Sequence, residues 1–366
     1  MNTETQRVFI AATQQNDGKT TTSLGLFAAL QRRGMRVGFI KPVGQRFVEV
    51  EGKRIDEDSV LIDQTFRVRT PIEAMSPIAV EPDFTRRYIE QQNSEFLINR
   101  IQNSFDRSAW EKDFVIIEGT GHAGVGSVFD LSNARVAKLL QSKVVLVTGG
   151  GIGKPIDEVA LNKALFDKEG VELVGVILNK VLPDKIDFIT DFARRGFARL
   201  DIDLLGVIPQ EPILANATLG QVCKTIRGHF INEKNRSRRR VKQVVIGGAT
   251  SDHALQHFKH GTLIITPGDR EDVVLAALSA SAQHEADGAP IAGLVLSGDL
   301  TPTPSVVDLI QQSQVPTIAS PMDSYTVANS IHSMTVKTLP GDEEKIGLIQ
   351  SLIDRHIEID RLLAKL

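Results

Sequence analysis

Residues 11–22 run A-A-T-Q-Q-N-D-G-K-T-T-T, directly behind the apolar V-F-I-A of residues 8–11 and directly ahead of a helical pattern over residues 20–33. A buried strand, a polar turn ending in Gly-Lys-Thr and a helix start, all in register, is the arrangement of a phosphate-binding loop. In such a loop, backbone N–H groups, the positive end of the helix dipole and a lysine, here Lys19, converge on phosphate oxygens, while the hydroxyl of Thr20 is placed to ligate Mg²⁺. Asn16, Asp17, Gly18 and Thr21 complete the candidate nucleotide-binding set. The strict G-x-x-x-x-G-K-T spacing asks for glycine where Thr13 stands, so the loop is a variant, and its structural alternative is an ordinary capped helix.

Outward from the loop, the first 230 residues alternate short β-branched runs with longer helical patterns. The runs at 8–11, 37–40, 114–117, 144–147, 174–178 and 204–208 are near-continuously apolar, as strands covered on both faces must be. The alternation predicts an α/β fold of the P-loop NTPase type: a mostly parallel sheet of six strands with helices on both faces. The pattern lapses over residues 229–242, a polar and basic stretch that includes Arg236, Arg238, Arg239 and Arg240, and this predicts a linker. Strand-helix alternation restarts with V-V-I at 244–246, L-I-I at 263–265 and L-V-L at 294–296, predicting a second, smaller α/β domain. The expected division is therefore residues 1–228, a linker at 229–242, a second domain at 243–340 and a helix over 341–366. In that helix Ile346, Ile349, Ile353 and Ile357 recur at steps of three and four, a stripe that must bury against its own domain or a dimer mate.

Composition narrows the class. The 366 residues carry 42 Lys+Arg against 45 Asp+Glu, a formal charge of -3, which builds in no global pull toward nucleic acid or an anionic membrane. The five-residue cluster Arg236–Arg240, four of whose members are arginine, lies in a linker without interleaved aromatics and is expected to be solvated, so neither nucleic acid nor membrane is an expected partner. Cys223 is the single cysteine, so neither an intrachain disulfide nor a cysteine-based zinc site is open. The N-terminus has no signal-peptide apolar core and no run of ~20 apolar residues is present, so the expected address is cytoplasmic.

A phosphate loop needs an acidic partner for its metal. The third strand ends V-I-I-E-G, which places Glu118 just beyond a buried strand end; Asp56, Glu57 and Asp58 offer a second source. The alternatives are a surface Glu and a solvated helix start. Lys41, behind the second strand, either adds a cation to the site or reaches solvent from a strand end.

Four motifs in order carry a resemblance: D-G-K-T at 17–20, K-P-V at 41–43, E-G-T-G at 118–121, and Asn179-Lys180 at the end of the fifth strand. With them, the first ~230 residues resemble the dethiobiotin synthetase family, the related cobyrinic acid a,c-diamide synthases and the N-terminal domain of long bacterial phosphotransacetylases. The resemblance implies that these motifs bind triphosphate, substrate or γ-phosphate, Mg²⁺ and nucleotide base respectively. It adds Asp58 as a metal ligand beside Thr20 and Glu118, and sets Pro209, in G-V-I-P at 206–209, against the purine. Ala12, Gln14 and His122 depart from the family on the substrate side, so the resemblance implies nucleotide binding rather than dethiobiotin synthesis. His122 is expected to be a loop histidine.

The second domain resembles the DRTGG domain through G-G-A-T-S at 247–251, I-I-T-P-G-D-R at 264–270 and L-V-L-S-G at 294–298. This implies a regulatory or dimerising module, in which Arg270 either touches a ligand or serves a turn. In the long phosphotransacetylases an acetyl-transferring domain follows, and the chain reaches Leu366 after one helix, so acetyl transfer by this chain is not expected. The expectation is a Mg-ATP-binding regulator, with homodimerisation through the DRTGG-like domain and terminal helix. Its alternative is an ATP-dependent ligase acting on a carboxylate or carbamate, in which Lys19 and Lys41 neutralise the transferring phosphoryl group.

Overall fold

The computed structural model describes residues 1–283 and 291–366. Two compact units divide it: Met1–Glu211 together with Thr338–Leu366, and Pro212–Lys337.

The first unit is built on a six-stranded, all-parallel sheet. Its order is Leu204–Pro209, Leu173–Val181, Lys143–Gly149, β1 (Gln6–Ala12), Phe114–Glu118 and β2 (Val37–Ile40). Every residue of Phe114–Glu118 and all but the first of β1 are buried, which is why these strands show no alternation of apolar and polar positions. β1 is central. Phe114–Glu118 and β2 lie on one side of it and the three strands that follow Phe114–Glu118 in the chain lie on the other, so the crevice beyond its C-terminal end is the switch point where open α/β sheets bind ligands. The helix α1 (Lys19–Arg32) starts at that crevice.

One feature of this unit had no sequence signal. Phe47–Val50 and Lys53–Asp56 form an antiparallel hairpin. The expected helix over 341–366 is two, Glu343–His356 and Ile359–Lys365, because Ile357 turns to extended backbone between them, and the first lies against α1 and the strand Leu204–Pro209. The isoleucine stripe is buried there, Glu358 N–H donates to the Leu205 carbonyl at 2.8 Å, and Arg32 pairs with Asp354 at 2.5 Å. Gly25 makes the approach possible, since a Cβ at that position would sit 2.1 Å from Ile353 Cγ1. The stripe is thus satisfied inside its own unit, which removes the helix as an argument for a dimer.

The second unit has a five-stranded sheet ordered His229–Phe230, Thr317–Ala319, Ile291–Ser297, Thr262–Pro267 and Gln243–Ile246, antiparallel only at the first edge. The expected linker at 229–242 is part of this unit, and the division falls near residue 211. Its first two residues are the edge strand. The Asn232 amide donates to the Ile310 carbonyl at 2.6 Å and accepts from Thr317 N–H at 2.9 Å, and the Arg239 guanidinium donates to the Ile291 carbonyl at 3.3 Å. Polar side chains tie this stretch down through backbone groups, so it has no apolar period to read. Arg270 serves its turn: its guanidinium donates to the Ala249 carbonyl at 2.8 Å and pairs with Asp272 at 2.9 Å. Among the described residues, no helix is long and apolar enough to cross a membrane.

Candidate functional site

The loop at 13–18 leaves β1 with the Thr13 N–H still in the ladder, donating to the Val147 carbonyl at 2.9 Å. The Thr13 hydroxyl lies 2.8 Å from Asp17 Oδ2 and 3.0 Å from Glu158 Oε2, and Gln14 N–H donates to the same Asp17 oxygen at 2.8 Å. Threonine is tolerated where the strict pattern asks for glycine because the left-handed residues of this loop are Asn16, at φ 69°, and Gly18, at φ 110°. Gly18 is required twice over. Its backbone is one that L side chains avoid, and a Cβ would come within 2.0 Å of Asn179 Nδ2.

Asn179 braces the loop. Its Nδ2 donates to the Asp17 carbonyl at 2.7 Å and its Oδ1 accepts from Lys180 N–H at 2.9 Å, while Lys180 Nζ donates to the Asn16 carbonyl at 2.7 Å. Val181, two residues on, pairs with Pro209 across the neighbouring strands, so Asn179 and Pro209 stand at one corner of the sheet. Thr21 is half-buried in the first turn of α1.

Lys19 is the first residue of α1 and only 7% exposed. No described residue hydrogen-bonds its side chain or pairs with it within 4.0 Å. Burial lowers its pKa below the ordinary lysine value, against the upward pull of Glu118. A cation brought indoors without a counter-ion, at the positive end of a 14-residue helix, is unfavourable until an anion arrives.

Lys41 is the opposite case. It is 6% exposed, which excludes the expected alternative of a lysine reaching solvent. Its ammonium contacts Asp58 Oδ2, with Asp56 Oδ1 and Glu118 Oε1 each at 3.3 Å. Burial works to lower its pKa, and Asp58, Glu118 and Asp56 together outweigh that and hold it well above the ordinary range. Glu118, 0% exposed, is raised, first by burial and then by Asp58, with Lys41 opposing. Asp56, expected with Glu57 and Asp58 either as a second acidic source for the metal or as a solvated helix start, caps the helix Glu57–Phe66, accepting from Asp58 N–H at 2.9 Å, and is buried. An aspartate at an N-cap two residues before another aspartate was the available signal. His122 is exposed and its Nδ1 accepts from Gly124 N–H at 3.2 Å, a turn contact as expected.

Thr20 Oγ1 donates to Glu118 Oε1 at 3.0 Å. Adjacent ligands of an octahedral ion with metal–oxygen bonds of ~2.1 Å are about 3.0 Å apart, so these two oxygens fit neighbouring positions around Mg²⁺. Glu118 Oε2 is buried and makes no close hydrogen bond, with the Ser23 hydroxyl acting on the carboxylate from nearby, and an oxygen so placed is one a cation can use. Asp58, expected as a third ligand, is held by Lys41.

Residues 6–218 match the AAA_26 family model, described as an AAA domain. The chain belongs to the AAA_26 family. In this AAA_26 protein, residues 221–334 match the DRTGG domain, so a dethiobiotin synthetase-like P-loop domain is followed by a DRTGG domain, the architecture of the N-terminal region of phosphate acetyltransferases. Phosphate acetyltransferase of Pseudomonas aeruginosa is 30% identical over 371 residues, covering 97% of this chain and 51% of that protein. The Nitrosomonas europaea phosphate acetyltransferase is 26% identical, covering 98% and 51%. The chain thus spans about half the length of these curated relatives. Among solved structures, the MinC:MinD cell division protein complex of Aquifex aeolicus is similar at 16% identity and a TM-score of 0.36, covering 57% of this chain and 83% of that one.

Proposed function

We propose that the AAA_26 domain binds Mg-ATP at the loop 13–18 and that the DRTGG domain makes the chain a nucleotide-dependent regulator. The observation that carries the reading is Lys19, a largely buried lysine with no ion pair within 4.0 Å among the described residues, presented by a glycine-constrained loop at a helix start. Triphosphate oxygens supply the missing anion. Thr20 and Glu118 would hold Mg²⁺, which supplies further positive charge against the phosphates. Asn16 and Asp17 shape the loop through carbonyls that Lys180 and Asn179 hold, and Asn179 and Pro209 flank the corner assigned to the base.

Calorimetric titration with ATP, with and without Mg²⁺, tests this. Lys19→Ala removes a charge-assisted contact of about 1.5–3 kcal/mol, or roughly 10- to 150-fold in affinity. Equal affinity for wild type and Lys19→Ala would overturn the reading. The ligase alternative needs Lys41 to reach a substrate, whereas its ammonium is engaged by three carboxylates. ADP release on addition of diaminopelargonate or cobyrinate would favour the ligase; silence with both is expected.

A further inference from the structure

A cavity of about 760 Å³ opens on the first unit between the hairpin of Phe47–Val50 and Lys53–Asp56 on one side and the helices Phe84–Gln91 and Ser94–Ala109 on the other, with residues 76–79 along its floor. Its volume lies within the roughly 300–1,000 Å³ of small-molecule sites. No residue of the loop 13–18 lines it, nor do Lys19, Lys41, Glu118, Asn179 or Pro209, so it stands apart from the nucleotide site. We propose that this cavity is a second ligand site, for an organic anion whose planar or apolar body carries a phosphate or carboxylate group.

Charge sets the sign of the ligand. The lining brings Lys53, Arg54, Arg87 and Arg100 against Glu49, Glu73 and Glu81, and two of these three carboxylates are each divided between two cations. Glu81 takes Arg54 on Oε1 and Arg87 on Oε2, the latter at 3.2 Å, and hydrogen bonding from Arg54 holds its carboxyl below the usual carboxylate range. Glu73 takes Lys53 at 3.5 Å and Arg107 at 3.4 Å. The remaining acid, Glu49, lies opposite Arg54 in the hairpin register. Arg100 is exposed, and no described residue pairs with it within 4.0 Å. An incoming anion thus meets one uncommitted guanidinium, Arg100, and a second, Arg87, whose exposed pair with Glu81 yields at little cost. A guanidinium offers phosphate or carboxylate two parallel N–H groups.

Shape sets the body. Ile55, Ile78 and Leu97 are buried against the cavity, Phe84 and Tyr88 stand in its helical wall, and Phe96 keeps 57% of its surface exposed. Phe96 and Arg100 are four residues apart in the helix Ser94–Ala109 and so share a face. A ring laid on Phe96 therefore carries its anionic group to Arg100. The walls are fixed beforehand. The Tyr88 hydroxyl donates to Asp130 Oδ2 at 2.8 Å, Phe84 meets Phe129 edge-on with ring centroids 5.2 Å apart, and Asp56 N–H donates to Ser76 Oγ at 2.9 Å, which joins the hairpin to the floor. A cavity braced in this way loses little conformational freedom when a ligand enters.

The probes are 1-naphthyl phosphate and 1-naphthoate, with neutral 1-naphthalenemethanol beside them, titrated into the full chain by calorimetry. Wild type is expected to bind at least one of the two anions saturably, one per chain, and the alcohol about ten-fold more weakly or worse; the tighter of the two anions tells a phosphate ligand from a carboxylate one. Arg100→Ala is expected to weaken that anion roughly 10- to 150-fold, and Phe96→Ala roughly 2- to 12-fold. Arg195→Ala, which removes an exposed arginine that does not line the cavity, is expected to leave the affinity unchanged. Phe96 and Arg100 are both exposed, so urea midpoints of their variants are expected to match wild type. Absence of saturable binding of either anion, equal affinity for the neutral alcohol, or an affinity that both cavity variants leave unchanged would overturn the proposal. None of these outcomes depends on whether the loop 13–18 binds ATP.

Discussion

Lys19, at the start of the helix that follows β1, and Lys41, directly behind β2, are both indoors beyond strands two positions apart in one sheet, yet their surroundings are opposite. Lys19 has paid for its burial with nothing to hold, whereas Lys41 is surrounded by more negative charge than it can neutralise. The same side chain is therefore an instrument of binding in one place and of stability in the other, and the neighbours decide which.

The largest effect that tests the contrast is on folding. In metal-free buffer, Lys41→Met leaves three carboxylates buried together and is expected to lose about 3–5 kcal/mol of stability by urea unfolding, while Lys19→Met, which relieves an unpaired charge, leaves stability unchanged or raised. Equal losses for the two would erase the distinction. Next in size is the loop itself. Gly18→Ala imposes a disfavoured backbone and a contact with Asn179, a strain of about 1–3 kcal/mol, expected as weaker ATP binding by calorimetry with the fold retained. Adding Asn179→Ala is expected to recover the part due to the contact; no recovery would mean that the backbone alone sets the cost.

The smallest effect is a pH signature. Lys19 has a folded pKa below the unfolded value of about 10.4, so protonated Lys19 costs stability, and that cost is relieved as pH rises through the folded value. Bound phosphate would keep the proton on, so in the window between the lowered value and about 10.4, ATP affinity falls with rising pH and binding takes up a proton. Lys41 is raised, so its stabilising contribution is complete below about 10.4 and is lost only above it. On alkalinisation, affinity should fail before the fold. Calorimetry in buffers of different ionisation enthalpy reads the proton, and denaturant titrations read the fold; the reverse order would contradict the assignments.

The strands of the first sheet were legible because burial on both faces writes itself as unbroken apolar runs, and the loop because Gly-Lys-Thr sits between a run and a helix. The carboxylate cluster around Lys41 was half legible. Glu118 and Asp58 stood out, but Asp56 meets Lys41 through a hairpin whose strands, F-V-E-V and K-R-I-D, carry no alternation of apolar and polar residues strong enough to announce themselves. Residues 229–242 misled for a physical reason: Asn232 and Arg239 hold that stretch through carbonyl and amide groups, which leave no hydrophobic period. The terminal stripe of isoleucines was plain, but its destination was not, since a stripe states that it must be covered and Gly25 alone hints at what covers it.

That helix turns the second unit into an insertion. The chain leaves the first unit at Glu211 and re-enters it at Thr338, so a cut anywhere between yields two pieces that both own part of the same fold. A fragment ending at residue 211 would carry α1 with its Gly25 face bare, a sticky surface in search of the missing strand of chain. Proteolysis within 212–337 should accordingly release no free terminal peptide: the nicked protein should run as one particle until denatured, held by the packing of Ile353 against Gly25.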